Sequence, residues 1–270
     1  MKQLKNIEDS KVVICGAARD VEKTILRFVS DMQLAFSNFR EVHFVFCESF
    51  SKDETRITIQ ELTNFNSTIH MVDDFEVNKN ENRRTVRIAS ARNAIKNYVT
   101  KNFSEFDYVV MADLDGVNRN ITRKAVESCW TIGYWDMVSA SQTYKYYDVW
   151  ALRAREWCEN DCWEEYERLK LQYTEKIALR LAITSKMRSI PRASDPIPVM
   201  SAFGGFSIYR LEAFKHGNYV GVLDDGKEVC EHVPFNLQLS SLGFELFIAP
   251  KLVNLNSSTQ RLTRMLEVFK

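Results

Sequence analysis

The sequence predicts an α/β fold, a mostly parallel central sheet flanked by helices in a single domain. Three observations carry that expectation. Short apolar runs end at turn residues in Lys11-Val-Val-Ile-Cys15, Val42-His-Phe-Val-Phe-Cys47, Ser67-Thr-Ile-His-Met-Val72 and Tyr108-Val-Val-Met111. Runs of this kind read as strands buried on both faces. Helical patterns separate them, and alternating strands and helices build a parallel sheet covered on both sides. No linker, repeat or low-complexity segment divides the chain.

The elements follow in order. A polar lead-in over residues 1–10 precedes the first strand, Lys11–Cys15. Gly16-Ala-Ala-Arg19 follows, and then a helical pattern through about Phe36. The second strand, Val42–Cys47, passes through the polar stretch Glu48–Thr55 into a short helix. The third, Ser67–Val72, ends at Asp73-Asp74, and a very polar loop over 78–84 leads to a helix from Thr85 to Tyr98. The apolar run Tyr108–Met111 then meets Asp113-Leu-Asp115-Gly116. Downstream come a helix over Ile121–Trp130, a strand over Met137–Ala140 and the aromatic segment Gln142–Arg153. One long charged helix is expected over about Glu159–Lys186. A loop marked by Pro191, Pro196 and Pro198 precedes Ala202–Tyr209; a helix starts near Val229–Val233, and Phe247–Pro250 is the last strand.

Composition narrows the function. The chain has 270 residues, enough for one large α/β domain. It is 45% hydrophobic and 27% charged, ordinary for a globular protein. Lys plus Arg equals Asp plus Glu at 36 each, which argues against bulk electrostatic binding of nucleic acid. The apolar runs fall short of the ~20 residues of a membrane span, so no transmembrane segment is expected. The start, Met1–Glu8, has no apolar core of a secretory signal. Cys15 and Cys47 sit in strand runs as small hydrophobes, and Cys158 and Cys162 lack a second pair for zinc. A cytoplasmic location is therefore expected.

In open parallel sheets ligands bind beyond the carboxyl ends of the strands, where Arg19, Glu48, Asp73 and Asp113 fall. Alternation along a strand places Asp113 and Asp115 on one face at its end, and Gly116 lets the chain turn away. Two such carboxylates repel unless a cation or proton lies between them, and a hard divalent metal with a phosphate-bearing ligand answers that need. The preceding helix shows an apolar stripe at Ile88, Ala91, Ile95 and Val99, with Arg92 beside it. A guanidinium there must reach solvent or pair with an anion, and Asp113 or a ligand phosphate would serve. Arg87 and Asn93 are weaker candidates on the same helix. Gly204-Gly205 permits backbone to approach a ligand or forms a tight turn. Glu231 at a helix start could act as general base on a hydroxyl, and His232 as a metal ligand or base. Tyr144–Trp150 could stack on sugar or base faces, although most aromatics at such density belong to a core.

Taken in order, Ala89-Ser-Ala-Arg-Asn93, Asp113-Leu-Asp115, Gly204-Gly205 and Glu231 resemble the nucleotide-sugar glycosyltransferases of the GT-A fold, over roughly residues 10–255. More narrowly, Tyr146-Tyr-Asp-Val-Trp-Ala-Leu-Arg153 and Glu231-His-Val-Pro-Phe235 resemble the capsule-associated α-1,3-mannosyltransferase family and its bacterial relatives. The resemblance implies a hexosyltransferase using a UDP- or GDP-linked sugar and Mn²⁺ or Mg²⁺, with a glycan or lipid-linked glycan as acceptor in polysaccharide biosynthesis. It implies that Asp115 binds the metal, that Asp113 touches ribose, sugar or metal, and that Glu231 faces the acceptor. Arg19 and Asp73 sit where a nucleobase would be recognised, and Arg92, Asn93, Gly204 and Gly205 join the donor site. Many relatives use a late histidine as a metal ligand; here none follows His232, and Asn254 or Asn256 occupies that region. About 10–135 would form the nucleotide-sugar half, about 136–255 the acceptor half, and 256–270 a tail. That tail reads as a packed final helix, or as a peripheral contact to a membrane carrying the acceptor.

Two alternatives share the aspartates. Val110-Met-Ala-Asp-Leu-Asp-Gly-Val117 is similar to the first motif of haloacid-dehalogenase-type phosphatases, with Asp113 as nucleophile. That motif opens its domain, whereas three strand-like runs precede it here. The other alternative is a non-catalytic nucleotide- or carbohydrate-binding module.

Overall fold

The computed structural model describes residues 3–74 and 81–255. The strands are β1 (Lys11–Ala18), β2 (Glu41–Glu48), β3 (Ile69–Asp73), β4 (Tyr108–Ala112), β5 (Met137–Gln142), β6 (Ile197–Pro198), β7 (Phe206–Arg210) and β8 (Leu246–Asn254). They form one eight-stranded sheet in the order β3-β2-β1-β4-β7-β5-β8-β6. Neighbours β3, β2, β1 and β4 run parallel, as do β5 and β8. β7 is antiparallel between β4 and β5, and the two-residue β6 is antiparallel on β8. The sheet is thus mostly parallel, as the alternating pattern predicts.

The helices are α1 (Glu22–Ala35), α2 (Thr55–Phe65), α3 (Arg84–Asn102), α4 (Arg123–Trp130), α5 (Cys162–Lys170), α6 (Glu175–Ala182), α7 (Leu211–Phe214) and α8 (His232–Ser241). Strand alternation sorts the core into two layers. Val13, Cys15, Val45, Cys47, Val109 and Met111 face one side, with Ala91, Ile95 and Val99 of α3 and Phe235 and Leu239 of α8. Val12, Ile14, Phe44, Phe46, Tyr108 and Val110 face the other, with Ile25, Phe28 and Met32 of α1 and Val126 of α4. Both faces are apolar, which is why the runs carry no polar alternation.

Three local expectations change. The single helix over Glu159–Lys186 is a hairpin, α5 and α6, joined through residues 171–174. Asp161 caps α5 by accepting from the backbone of Trp163 and Glu164 at 2.9 and 3.3 Å. Folding back lets Cys162, Trp163 and Leu169 of one helix and Ala178 and Ala182 of the other reach the same core, which one straight rod could not do. The last strand extends to Asn254, past a register shift between Ala140 and Ser141 of its partner β5. β1 continues through Gly16 to Ala18. A Cβ on Gly16 would lie 2.6 Å from Leu114, so glycine there allows the turn after β4 to lie across β1.

All six cysteines are buried and unpaired. Among the described residues no helix is long and apolar enough to cross a membrane. The 256–270 tail, Asn256 and part of the polar loop before α3 lie outside the described residues.

Candidate functional site

The carboxyl ends of β1, β2 and β4 and one face of α3 enclose a cavity of about 280 Å³. Arg19 and Asp20 line it after β1, Ser49 after β2, and Asp113, Leu114 and Asp115 after β4; Arg84, Arg87, Ile88, Ala91 and Arg92 line it from α3. Ile88 therefore walls the cavity instead of extending the core stripe. β4 ends at Ala112, so the two aspartates share the cavity through a turn and not through strand alternation. Leu114 between them is buried against the α1 layer. Asp115 is exposed and its Oδ1 accepts the Val117 amide at 3.3 Å. A cavity of about 330 Å³ at the opposite end of the strands adjoins Lys5, Asp107, Arg210, Glu212 and Lys215. Its cations are already paired, Lys5 with Asp107, Lys215 with Glu212 and Arg210 with Asp136, so the first cavity is the candidate site.

Arg92 joins the two halves of the chain. Only 4% exposed, it donates from Nη2 to Asp113 Oδ1 at 3.1 Å and from Nη1 to Glu231 Oε1. Its guanidinium lies 4.8 Å from the Phe203 ring centroid, and its Nε has no hydrogen-bond partner among the described residues. Glu231 precedes α8 and is 6% exposed. A guanidinium pairing two carboxylates satisfies the demand that a buried charge be matched.

A second network fixes the glycine loop against the aspartate turn. Gly204 and Gly205 have φ of +64° and +83°. A Cβ on Gly204 would lie 2.3 Å from the Gln142 amide and 2.6 Å from the Ala140 carbonyl. The Gly205 carbonyl accepts from the Asp113 amide at 2.9 Å and from the Asn118 side chain at 2.9 Å. The Gly204 carbonyl accepts from Gln142 at 3.0 Å and from Asn254 at 2.7 Å. Both carbonyls are thus held by the protein, and β7 enters the sheet beside β4 from this end.

Asp148 completes this corner. Its Oδ2 accepts the Gly204 amide at 2.8 Å. Burial raises its carboxyl pKa to about 6; the Gly204 hydrogen bond opposes the shift, and the nearby Asp113 charge adds to it. The folded state therefore holds a proton that the unfolded chain releases nearer the ordinary value of 3.8. Stability should then fall as pH rises from about 4 to about 6 and stay at the lower level above that. Asp148→Asn keeps an acceptor for Gly204 and removes the charge. It should gain about 3 kcal/mol at pH 8 and little at pH 4, in urea unfolding at the two pH values. A gain equal at both would disconnect the effect from this carboxyl.

Other expected residues are placed differently. Asp73 at the end of β3 pairs with Arg56 at 2.6 Å, which also holds Glu48 at 2.9 Å, and Asp73 is not part of the cavity lining. Asn93 grips the backbone of Tyr219, donating to its carbonyl at 2.8 Å and accepting its amide at 3.0 Å. His232 is buried, with its ring stacked on Phe203 at 3.6 Å between centroids. Burial and the Arg92 charge hold its imidazole well below the usual range, so it is neutral, and neither ring nitrogen has a hydrogen-bond partner among the described residues. It is not in the cavity lining with Asp113 and Asp115. Asn254 is fully buried, donating to Gly204 and, at 3.0 Å, to Asn118. Among the described residues no three His, Cys, Asp or Glu side chains are grouped to hold a metal.

Sequence reasoning passed over Arg84, Asp148, Asn118 and Asp74. Buried Asp74 accepts the hydroxyls of Ser49 at 3.0 Å and Ser90 at 2.7 Å and so ties α3 to the strand ends. The available signals were an aspartate within an aromatic run and arginines at a helix start.

The sequence matches no protein-family model and no curated protein. The structure does have likenesses. The mannosyltransferase PcManGT from Pyrobaculum calidifontis, solved in complex with GDP-Man and Mn²⁺, is 14% identical, with a TM-score of 0.54 over 94% of this chain. This chain has the GT-A fold. It spans 58% of the length of that enzyme. S. aureus TarS 1–349 is a weaker likeness, at 11% identity and TM-score 0.49 over 96% of this chain and 64% of that one. Mannosyl-3-phosphoglycerate synthase from Rubrobacter xylanophilus gives 12% and 0.46 over 96% of this chain and 71% of that one. At such identities likeness establishes the fold alone.

Proposed function

We propose that this GT-A chain is a metal-dependent glycosyltransferase moving a hexose or similar sugar from a UDP- or GDP-linked donor to a hydroxyl of a glycan or lipid-linked glycan. The observation that carries this reading is Arg92, buried at the carboxyl end of the sheet and bound to both Asp113 and Glu231. It couples the cavity floor, from the donor half over about 10–135, to an acidic helix start in the acceptor half over about 136–255.

The cavity residues fit a hard cation. Asp113 and Asp115 bring carboxylate oxygens to one cavity, and Mg²⁺ or Mn²⁺ takes a few carboxylates and completes its shell with phosphate oxygens and water. Such an ion, when bound, neutralises charge developing on a diphosphate leaving group. Arg92 adds a fixed positive charge beside it. Arg19 lines the same cavity from the end of β1. Glu231 takes the proton of the acceptor hydroxyl. Asp113 is already bound by Arg92 and follows three strands of the same sheet, an arrangement that does not favour a phosphatase nucleophile.

The test is thermal stability against UDP, GDP, CDP and TDP, with and without Mn²⁺, since a ligand of the native state raises the midpoint. One nucleotide should give a shift that Mn²⁺ enlarges. Asp115→Ala should lose the Mn²⁺-dependent part and turnover while unfolding at the wild-type midpoint without ligand. Unchanged turnover in that variant would remove the reading, and activity on a generic phosphate ester with no nucleotide shift would favour the phosphatase.

A further inference from the structure

The charges lining the cavity are segregated. Arg84, Arg87 and Arg92 stand on the α3 wall with Arg19 at the end of β1, while Asp113 and Asp115 lie on the floor after β4. α3 opens on arginine and has no acidic residue in its first turn. A helix start already carries partial positive charge from its amides, so each cation there is unfavourable. Burial makes Arg87 less basic than usual, and the charges of Arg19 and Arg84 lower it further. Arg87 Nη1 is oriented by the carbonyls of Glu81 and Asn82, at 2.6 and 2.8 Å. Among the described residues the Arg84 side chain makes no hydrogen bond or ion pair, and the nearest carboxylate to Arg19 is the adjacent Asp20 at 3.9 Å. The buried Arg92 Nε also lacks a partner among the described residues. Local electrostatics of this kind, unfavourable in the protein by itself, becomes favourable when an anion with several oxygens occupies the cavity.

We propose that Arg84, Arg87 and Arg19 form an arginine cradle that holds the diphosphate directly, so that a nucleoside diphosphate stays bound when divalent metal is removed. The cradle rests on the donor reading above and goes beyond it. It divides the work, with arginines retaining the diphosphate and metal being required for transfer. The shared chemistry is a pyrophosphate group, whether on a nucleotide or free.

The experiment is titration calorimetry on the full chain with UDP, GDP, uridine, guanosine and inorganic pyrophosphate, each in Mn²⁺ and in excess EDTA. It compares the wild type with Arg84→Ala/Arg87→Gln, the second exchange keeping a hydrogen-bonding side chain at the half-buried site. The cradle predicts that a nucleoside diphosphate and pyrophosphate both bind in EDTA while the nucleosides do not. It predicts that the double variant weakens the EDTA-resistant binding about ten- to a hundredfold with a ligand-free thermal midpoint no lower than wild type, and that added salt weakens wild-type binding more than variant binding. Binding that disappears in EDTA, or that the double variant retains, overturns the cradle even if Mn²⁺-dependent nucleotide binding is intact. Pyrophosphate bound and then lost in the variant, with no nucleotide bound in either condition, keeps the cradle and overturns the nucleotide-sugar donor. Arg84→Lys/Arg87→Lys should recover part of the affinity, which a merely structural pair would not do.

Discussion

Arg92→Met is expected to lower folding stability by about 3–5 kcal/mol and to abolish sugar transfer. The side chain is 4% exposed and bound to two carboxylates, one of them the 6% exposed Glu231. Methionine keeps much of the volume against Phe203, so packing changes little. What changes is charge: Glu231 loses its cation while its carboxylate stays almost wholly buried. Breaking a buried pair from one side is far worse than replacing both partners. The double variant Arg92→Met/Glu231→Gln should therefore be more stable than Arg92→Met while remaining inactive. Urea unfolding of the two variants and the wild type reads this order. A single variant within about 1 kcal/mol of wild type would show that the pair carries little of the fold.

The same residue shows how far the site was legible in the sequence. Arg92 stood out because a cation beside the apolar stripe of α3 needs an anion, and the anion at hand was the aspartate at the end of the next strand. The four apolar runs that became β1 to β4 were legible for a similar reason, since a strand buried on both faces leaves no polar alternation to confuse the pattern. Position along one element was therefore readable, whereas convergence of distant elements was not. Asp148 lies within an aromatic run, and only the fold brings it 2.8 Å from the Gly204 amide. The α5–α6 hairpin shares one charged, helical pattern, and the turn at 171–174 is imposed by the core both helices must reach. Arg84 and Arg87 were readable in principle, because positive charge at a helix start contradicts the helix dipole. That contradiction becomes informative only once Arg19 is known to face the same cavity. His232 followed Glu231 into the site by adjacency alone, and a helix turns neighbouring side chains through about 100°, which here places its ring on Phe203.

Glu231→Gln should lower transfer by about 10²–10⁴-fold while leaving nucleoside diphosphate affinity within about twofold of wild type. Glutamine has the same shape and can still accept from Arg92, so Asp113, Arg92 and the start of α8 stay in place. What it loses is an oxygen able to take a proton from an acceptor hydroxyl. A loss confined to transfer therefore assigns the proton to Glu231, and slow donor hydrolysis should fall with it, because water as acceptor needs the same base. The competing role is mechanical, with Glu231 serving only to hold Arg92. Under that role nucleotide affinity and transfer would decline together, and Arg92→Lys, which keeps a positive charge but loses the two-sided fork, would reproduce the Glu231→Gln phenotype. Measuring affinity and turnover on both variants separates the two roles, since the base predicts Arg92→Lys weakened in nucleotide binding and Glu231→Gln unaltered in it.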